Sequence, residues 1–184
     1  MEKEIGKYRI EVIQDDQPQS PDDWDNEDAF VVYDHRQFGV TRKGFNPRDI
    51  FDHSHEHKNK LFDGYFFFVL YAYIHSGVVL SVGDHNFPDA RWDVSSTGYV
   101  LVKKQKYTYT REAAFKMAQS ITEEWNTYLC GDVWGFKITD MEDDTEVDSC
   151  WGFYGEEENC MTEAEGIVTS MIENDNKNCV GMNI

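Results

Sequence analysis

Glu142, Asp144, Glu146 and Asp148 stand at alternate positions. On an extended backbone such carboxylates share one face about 6.8 Å apart, a spacing that approximates successive phosphates along a nucleic-acid strand. The chemistry of such a row is electrostatic: it imitates a phosphate backbone toward a cationic protein. Asp143 falls inside the row, and Glu156, Glu157 and Glu158 extend it. Asp22, Asp23, Asp25 and Asp28 form a second cluster near the start of the chain. The alternative reading is a solvated turn whose charge aids solubility. The lack of nearby bases weighs against it, because unpaired like charges cost some stability.

The acids are concentrated. Residues 11–30 hold eight and no Lys or Arg, and residues 140–184 hold thirteen against one base, Lys177. Residues 31–139 are nearly neutral, with twelve acids and thirteen bases, so the net charge of −18 comes from two stretches. A field of this kind repels nucleic acid and attracts basic protein surfaces.

Other reactive side chains lack an ordering motif. His53, His55 and His57 alternate and could reach one metal on an extended segment, but on a helix they splay around the axis. Asp25, His75, Asp84, His85, Asp93 and Asp148 are the residue types of an acid–base or cation-assisted hydrolase. No nucleophile motif, Gly-rich phosphate loop or HExxH segment arranges them. We therefore assign no catalytic residue, no metal and no cofactor. Cys130, Cys150, Cys160 and Cys179 contain no CxxC pair and read as reduced thiols. Trp125, Trp134 and Trp151 read as core anchors. Trp24 and Trp92, beside Asp23, Asp25 and Asp93, could plug the core edge or anchor an interface, with packing the better reading.

The elements that must position these groups follow from periodicity. Tyr8, Ile10 and Val12 alternate as in a half-buried strand, an acidic loop covers residues 14–28, and Ala29–Tyr33 is a second strand. Asn46-Pro47 opens a helix. Tyr65–Ile74 is apolar enough for a strand covered on both faces. Residues 83–96 read as loop, and Tyr99–Lys103 as strand. Ala114, Ala118, Ile121, Trp125 and Tyr128 mark a helix over 110–129. Val133–Thr139 and Val147–Tyr154, each with Trp-Gly-Phe, read as a hairpin, and Thr162 with Glu165 as a capping box opening a last helix. The tail after Asp175 reads as loose. The sum is an α+β chain with a mainly antiparallel sheet of five to six strands and two to three helices. At 184 residues it fits one domain, 1–184, with the acidic hairpin and C-terminal helix over 131–175. The start, MEKEIGKYRI, has no apolar core segment and no run is long enough for a membrane span, so a cytoplasmic protein is expected.

Five segments occur together in order: Ser20-Pro21-Asp22-Asp23-Trp24-Asp25-Asn26, Tyr71–Gly77, Arg91-Trp92-Asp93, Tyr128–Phe136 and Asp148–Gly155. With them the chain resembles, over residues 8–155, a family of small acidic proteins carried by phages and other mobile elements. In size and charge it is also similar to the type II-A anti-CRISPR proteins, inhibitors of Cas9. Where those phage relatives have Asp before His-Ser-Gly, this chain has Ile74, which removes support for a catalytic or metal role of His75. The resemblance implies a mobile-element protein, and the acidic surface leads us to expect a host defence nuclease as partner, Cas9 or its guide-RNA complex, gripped through Asp22, Asp23, Asp25, Asp28, Glu142, Asp143, Asp144, Glu156, Glu157 and Glu158. Binding to free nucleic acid or membrane is not expected. Two alternatives are an enzyme or cleavage-provoking factor acting on nucleic acid or guide RNA, and a DNA-imitating inhibitor of a restriction enzyme. The enzyme reading needs a basic groove, for which Lys103, Lys104, Lys106, Arg111 and Lys116 are the available residues.

Overall fold

The computed structural model describes residues 1–24, 27–56, 62–87, 93–108 and 110–181, excluding the side chains of 53–56, 97 and 178–181. Asp25, His57, Arg91 and Trp92 lie outside the described residues. The class is α+β, and all strand pairing is antiparallel. The strands divide between two sheets of four and five. The chain likewise divides into two compact units, Met1–Gln19 with Gly131–Ile184, and Ser20–Cys130.

The inserted unit, Ser20–Cys130, is built on β3 (Ala29–His35), β4 (Phe38–Val40), β5 (Tyr65–Ile74), β6 (Val78–Val82) and β7 (Val94–Lys103) in the order β4-β3-β7-β5-β6. Its sequence runs are continuously apolar because both faces of the sheet are covered. Val31, Tyr33, Phe68, Leu70, Val100 and Val102 face Ala114, Ala118, Ile121 and Trp125 of the helix Arg111–Cys130, which is α2. Phe30, Val32, Tyr99 and Leu101 point the other way, toward Phe62 and toward Ile50 of α1 (Pro47–Glu56). Asn46 Oδ1 accepts the Arg48 N–H at 2.8 Å, so the helix opens on a side-chain cap with Pro in its first turn. β7 begins at Val94, so the segment read as loop through 96 is shorter than its polar composition suggests.

The terminal unit pairs β1 (Glu2–Ile5), β2 (Tyr8–Gln14), β8 (Val133–Asp140) and β9 (Thr145–Tyr154) in that order. Tyr8, Ile10, Val12, Phe136 and Ile138 project to one side, where Cys160, Met161, Ala164 and Val168 of α3 (Glu157–Gly181) bury them. α3 starts five residues before the expected capping box and runs past Asp175 to Gly181. Gly155, at φ 108°, ends β9 in a conformation that favours glycine, and Glu157 and Glu158 take the first turn, where the helix dipole favours carboxylates. Thr162 is therefore interior, its hydroxyl donating to the Glu158 carbonyl at 2.9 Å. Glu163 and Glu165 are correspondingly not at the helix start.

A glycine sits opposite an aromatic ring in each sheet. Gly98 of β7 pairs with Tyr33 of β3, and a Cβ at Gly98 would lie 2.0 Å from the Tyr33 ring and 2.7 Å from the Val32 carbonyl oxygen. The Tyr33 hydroxyl donates to the Ser95 carbonyl at 2.8 Å, which holds the ring across the gap. Gly98→Ala should destabilise the protein by about 2–4 kcal/mol, because neither a buried ring nor a strand carbonyl yields cheaply. Urea unfolding checks it, and a midpoint equal to the parent's would refute the packing argument.

Candidate functional site

The terminal unit holds nineteen acids and five bases, a net −14, whereas the inserted unit holds sixteen acids and twelve bases, a net −4. Most of the field thus originates on one sheet and one helix. All five bases of the terminal unit are in ion pairs. Lys7 lies 3.0 Å from Asp140 and 3.5 Å from Asp175, Lys3 2.7 Å from Glu165, and Arg9 3.4 Å from Asp144 and 4.0 Å from Glu2. Lys137 meets Glu146 at 3.8 Å and Lys177 meets Glu173 at 4.0 Å. Glu157 is 2.5 Å from the Met1 amino group. Eleven carboxylates of this unit are left without an ion pair among the described residues. Glu142, Asp143, Glu156 and Glu158 are among them.

The expected carboxylate row does not form. Glu142 and Asp144 belong to the turn between β8 and β9, where Asp144 has φ 56° and Asp143 accepts hydrogen bonds from the Thr145 backbone and hydroxyl. Within β9 the register shifts: Ile138 pairs with Asp148, but Thr139 pairs with Glu146. Val147 is the extra residue of a bulge, so Asp148 lies on the α3 side and Glu146 on the opposite side. One inserted residue breaks the period-two alternation on which the row depended.

In the inserted unit, Asp23 accepts from the Ser20 backbone and hydroxyl, both at 3.1 Å, and the Asp28 carboxylate accepts from the Gln105 amide. Asp22 is half-buried, 4.0 Å from Arg42. Burial pushes its carboxyl up, against the opposing pull of Arg42. Asp23 is thus tied within the loop, and Asp22 and Asp28 to Arg42 and Gln105 beyond it. Asp25 lies outside the described residues.

His75 and Asp93 line one cleft of about 570 Å³ together with His35, Arg36, Gln37 and Ser95. His85 packs on Tyr71, with ring centroids 4.6 Å apart, and Asp84 accepts the His85 backbone N–H. Asp148 belongs to the terminal unit, and Asp25 lies outside the described residues. His53 and His55 lie on α1. No group of three or more metal-ligating side chains occurs among the described residues. Of the middle bases, Lys104 donates to the Asp63 carbonyl and lies over the Phe66 ring, Arg111 lies over Phe68, and Lys116 is 3.8 Å from Glu112. No described helix is long and apolar enough to cross a membrane.

The tryptophans separate by exposure. Trp125 is buried at 5%, and Trp134 is half-buried with its indole N–H donating to the Gly155 carbonyl at 2.9 Å. Trp24 is half-buried. Trp151, expected in the core, is 44% exposed. Gly152, at φ 84°, is a second bulge residue: Trp134 pairs with Phe153 while Gly135 pairs with Trp151. The two Trp-Gly-Phe segments therefore present their tryptophans to opposite faces. Sequence reasoning missed Trp151, although a glycine following it on an acidic strand was a usable bulge signal.

Two predictions follow from the charged groups and thiols of this unit. The Glu142 backbone N–H and the Lys7 side chain hold the Asp140 carboxyl below its ordinary value. A depressed folded value adds stability above the unfolded pKa of about 4, which is lost as pH falls through the folded value. Asp140→Asn should therefore flatten the loss of stability below about pH 4, measured by urea midpoints across an acid series. An unchanged acid limb would remove Asp140 from the account. Burial pushes the Cys160 thiol up to about 11, whereas Cys130 and Cys150 are exposed. Iodoacetamide near pH 8 should label those two in the native state and Cys160 only after unfolding, read by peptide mass spectrometry.

Compared with known proteins, the chain matches no family model, no curated protein and no solved structure.

Proposed function

We propose that this is a cytoplasmic anti-defence protein of a phage or other mobile element, binding the basic nucleic-acid-handling surface of a host nuclease. Cas9, alone or with its guide RNA, is the first candidate. The observation that carries the reading is the terminal unit's net −14, with every base already paired and eleven carboxylates left without an ion pair among the described residues. Exposed carboxylates repel one another and add little stability, so a fold that concentrates them is suited to an encounter with cations. Cas9 holds its heteroduplex in a positive channel and reads its PAM with arginines, which supplies the complementary surface. The similarity in size and charge to type II-A anti-CRISPR proteins supports the same choice. A restriction enzyme offers an equivalent basic cleft, and the two partners are separated by assay rather than by charge.

The carboxylates expected to matter are Glu142, Asp143, Glu156 and Glu158, which have no ion pair among the described residues. Asp22, Asp23 and Asp28 are partly committed within the inserted unit and are expected to contribute less. The triple reversal Glu142→Lys, Glu156→Lys, Glu158→Lys should weaken inhibition of Cas9–guide RNA cleavage at least about tenfold and reduce its salt dependence. Thermal unfolding of the variant should stay close to the parent's. Equal inhibition by parent and variant would exclude these groups from the contact.

A second reading, chemistry on nucleic acid or guide RNA, is favoured by the cleft of His35, Arg36, His75 and Asp93. Inhibition that saturates at one protein per nuclease supports binding. Shortened RNA or DNA at substoichiometric protein supports chemistry instead.

A further inference from the structure

We infer that the face of the terminal unit's sheet turned away from α3 docks a cationic protein segment, with Trp151 and Ile13 as its apolar anchor. The inference rests on the reading of this unit as an acidic binder and adds to the carboxylates of the turn and of α3 an apolar anchor on the sheet.

The face follows from the register. Residues paired across strands share a side of the sheet. One row runs Ile13, Gly135, Trp151, and the next runs Glu2, Glu11, Lys137, Ser149. The opposite side is the one α3 buries. At Gly135 a Cβ would lie 2.2 Å from the Trp151 ring, so the indole lies down across the glycine and offers its other surface outward. Ile13, on the far side of that glycine, is 40% exposed. An indole and an isoleucine side by side on an open strand pair make a flat apolar patch, and tryptophan is the side chain most enriched where binding energy concentrates. The surround is acidic apart from Lys137 of the adjoining row, which is paired with Glu146 at 3.8 Å. Glu11 lies in the adjoining row, while Asp15, Asp16 and Asp132 flank that end of the strands, none of them in an ion pair among the described residues.

Charge selects the occupant. A second copy of the chain would bring the same net −14 to the contact, and nucleic acid or an anionic membrane would be repelled in the same way. An amphipathic basic protein segment satisfies both features, because its apolar side chains cover Trp151 and Ile13 while Lys or Arg reach the carboxylates. A guanidinium can also stack on the exposed indole face.

The test uses the full chain and two synthetic peptides of equal length and charge, one of Lys and Leu patterned as an amphipathic helix and one of Lys and Gln. Binding is followed by titration calorimetry and by the five indole N–H signals in heteronuclear NMR. The Lys/Leu peptide should bind at least about tenfold more tightly than the Lys/Gln peptide, moving the Trp151 indole and the Ile13 and Gly135 amides. Trp151→Ala should remove that preference. Ile13→Ser, a milder change at an exposed site, should reduce it with the circular dichroism spectrum unchanged. Equal affinity for both peptides, perturbation confined to the β8–β9 turn or α3, or a dimer that Trp151→Ala dissolves would each overturn the proposal. Inhibition of Cas9–guide RNA cleavage is measured in parallel. Peptide selectivity through Trp151 without inhibition keeps this surface and removes the nuclease reading. Inhibition without peptide selectivity, retained by both variants, does the reverse.

Discussion

The antiparallel pairing of Tyr8–Gln14 with Val133–Asp140 is the contact on which the rest of the terminal unit depends. It joins the two ends of the chain, and it places Lys3, Lys7 and Arg9 beside the most acidic third of the sequence. Lys7 alone bridges to the end of β8 and to α3, and both Asp140 and Asp175 help push its ammonium up, the hydrogen bond to Asp140 most. The same pairing supplies the apolar floor of Tyr8, Ile10 and Val12 on which α3 packs. Without it the acidic third would keep only the β8–β9 hairpin, with Lys137 and Lys177 as its cations.

Local irregularities then decide what the surface presents. Two bulges in β9, at Val147 and Gly152, each flip the strand by one residue. The first separates Glu146 from Asp148, and the second sends Trp151 to the face opposite Phe153. A bulged edge strand also resists pairing with a further strand. β9 is an edge strand with exposed apolar side chains, and its carboxylates and bulges are features that oppose pairing with a further strand. The glycine beneath Trp151 lets an otherwise projecting ring lie flat.

Much of the fold was readable because its signals are local. The four- and three-residue spacing of Ala114, Ala118, Ile121 and Trp125 located α2 to within a residue or two, and the run Tyr65–Ile74 matched β5 residue for residue. The hairpin of Val133–Tyr154 was legible from two apolar runs around an acidic turn. β1, β4 and β6 escaped notice, being three to five residues long and held by their neighbours rather than by their own pattern. Ser76-Gly77 between Ile74 and Val78 was nonetheless a hairpin signal. α3 was placed too late because Thr162 and Glu165 satisfy a capping pattern that the helix, already begun, does not use.

Taken alone, the sequence determined the antiparallel α+β class, the principal helices and strands, and the concentration of carboxylates in the last third. These depend on residue type and near-neighbour spacing, which the chain carries in one dimension. Tertiary structure decided which carboxylates stay unpaired, that Glu146 and Asp148 part company, and that Trp151 rather than Trp134 faces outward. Ion pairing between opposite ends of the chain and the register of one strand on another are set by contacts that no local window contains. A single bulged residue is enough to exchange the two faces of a strand.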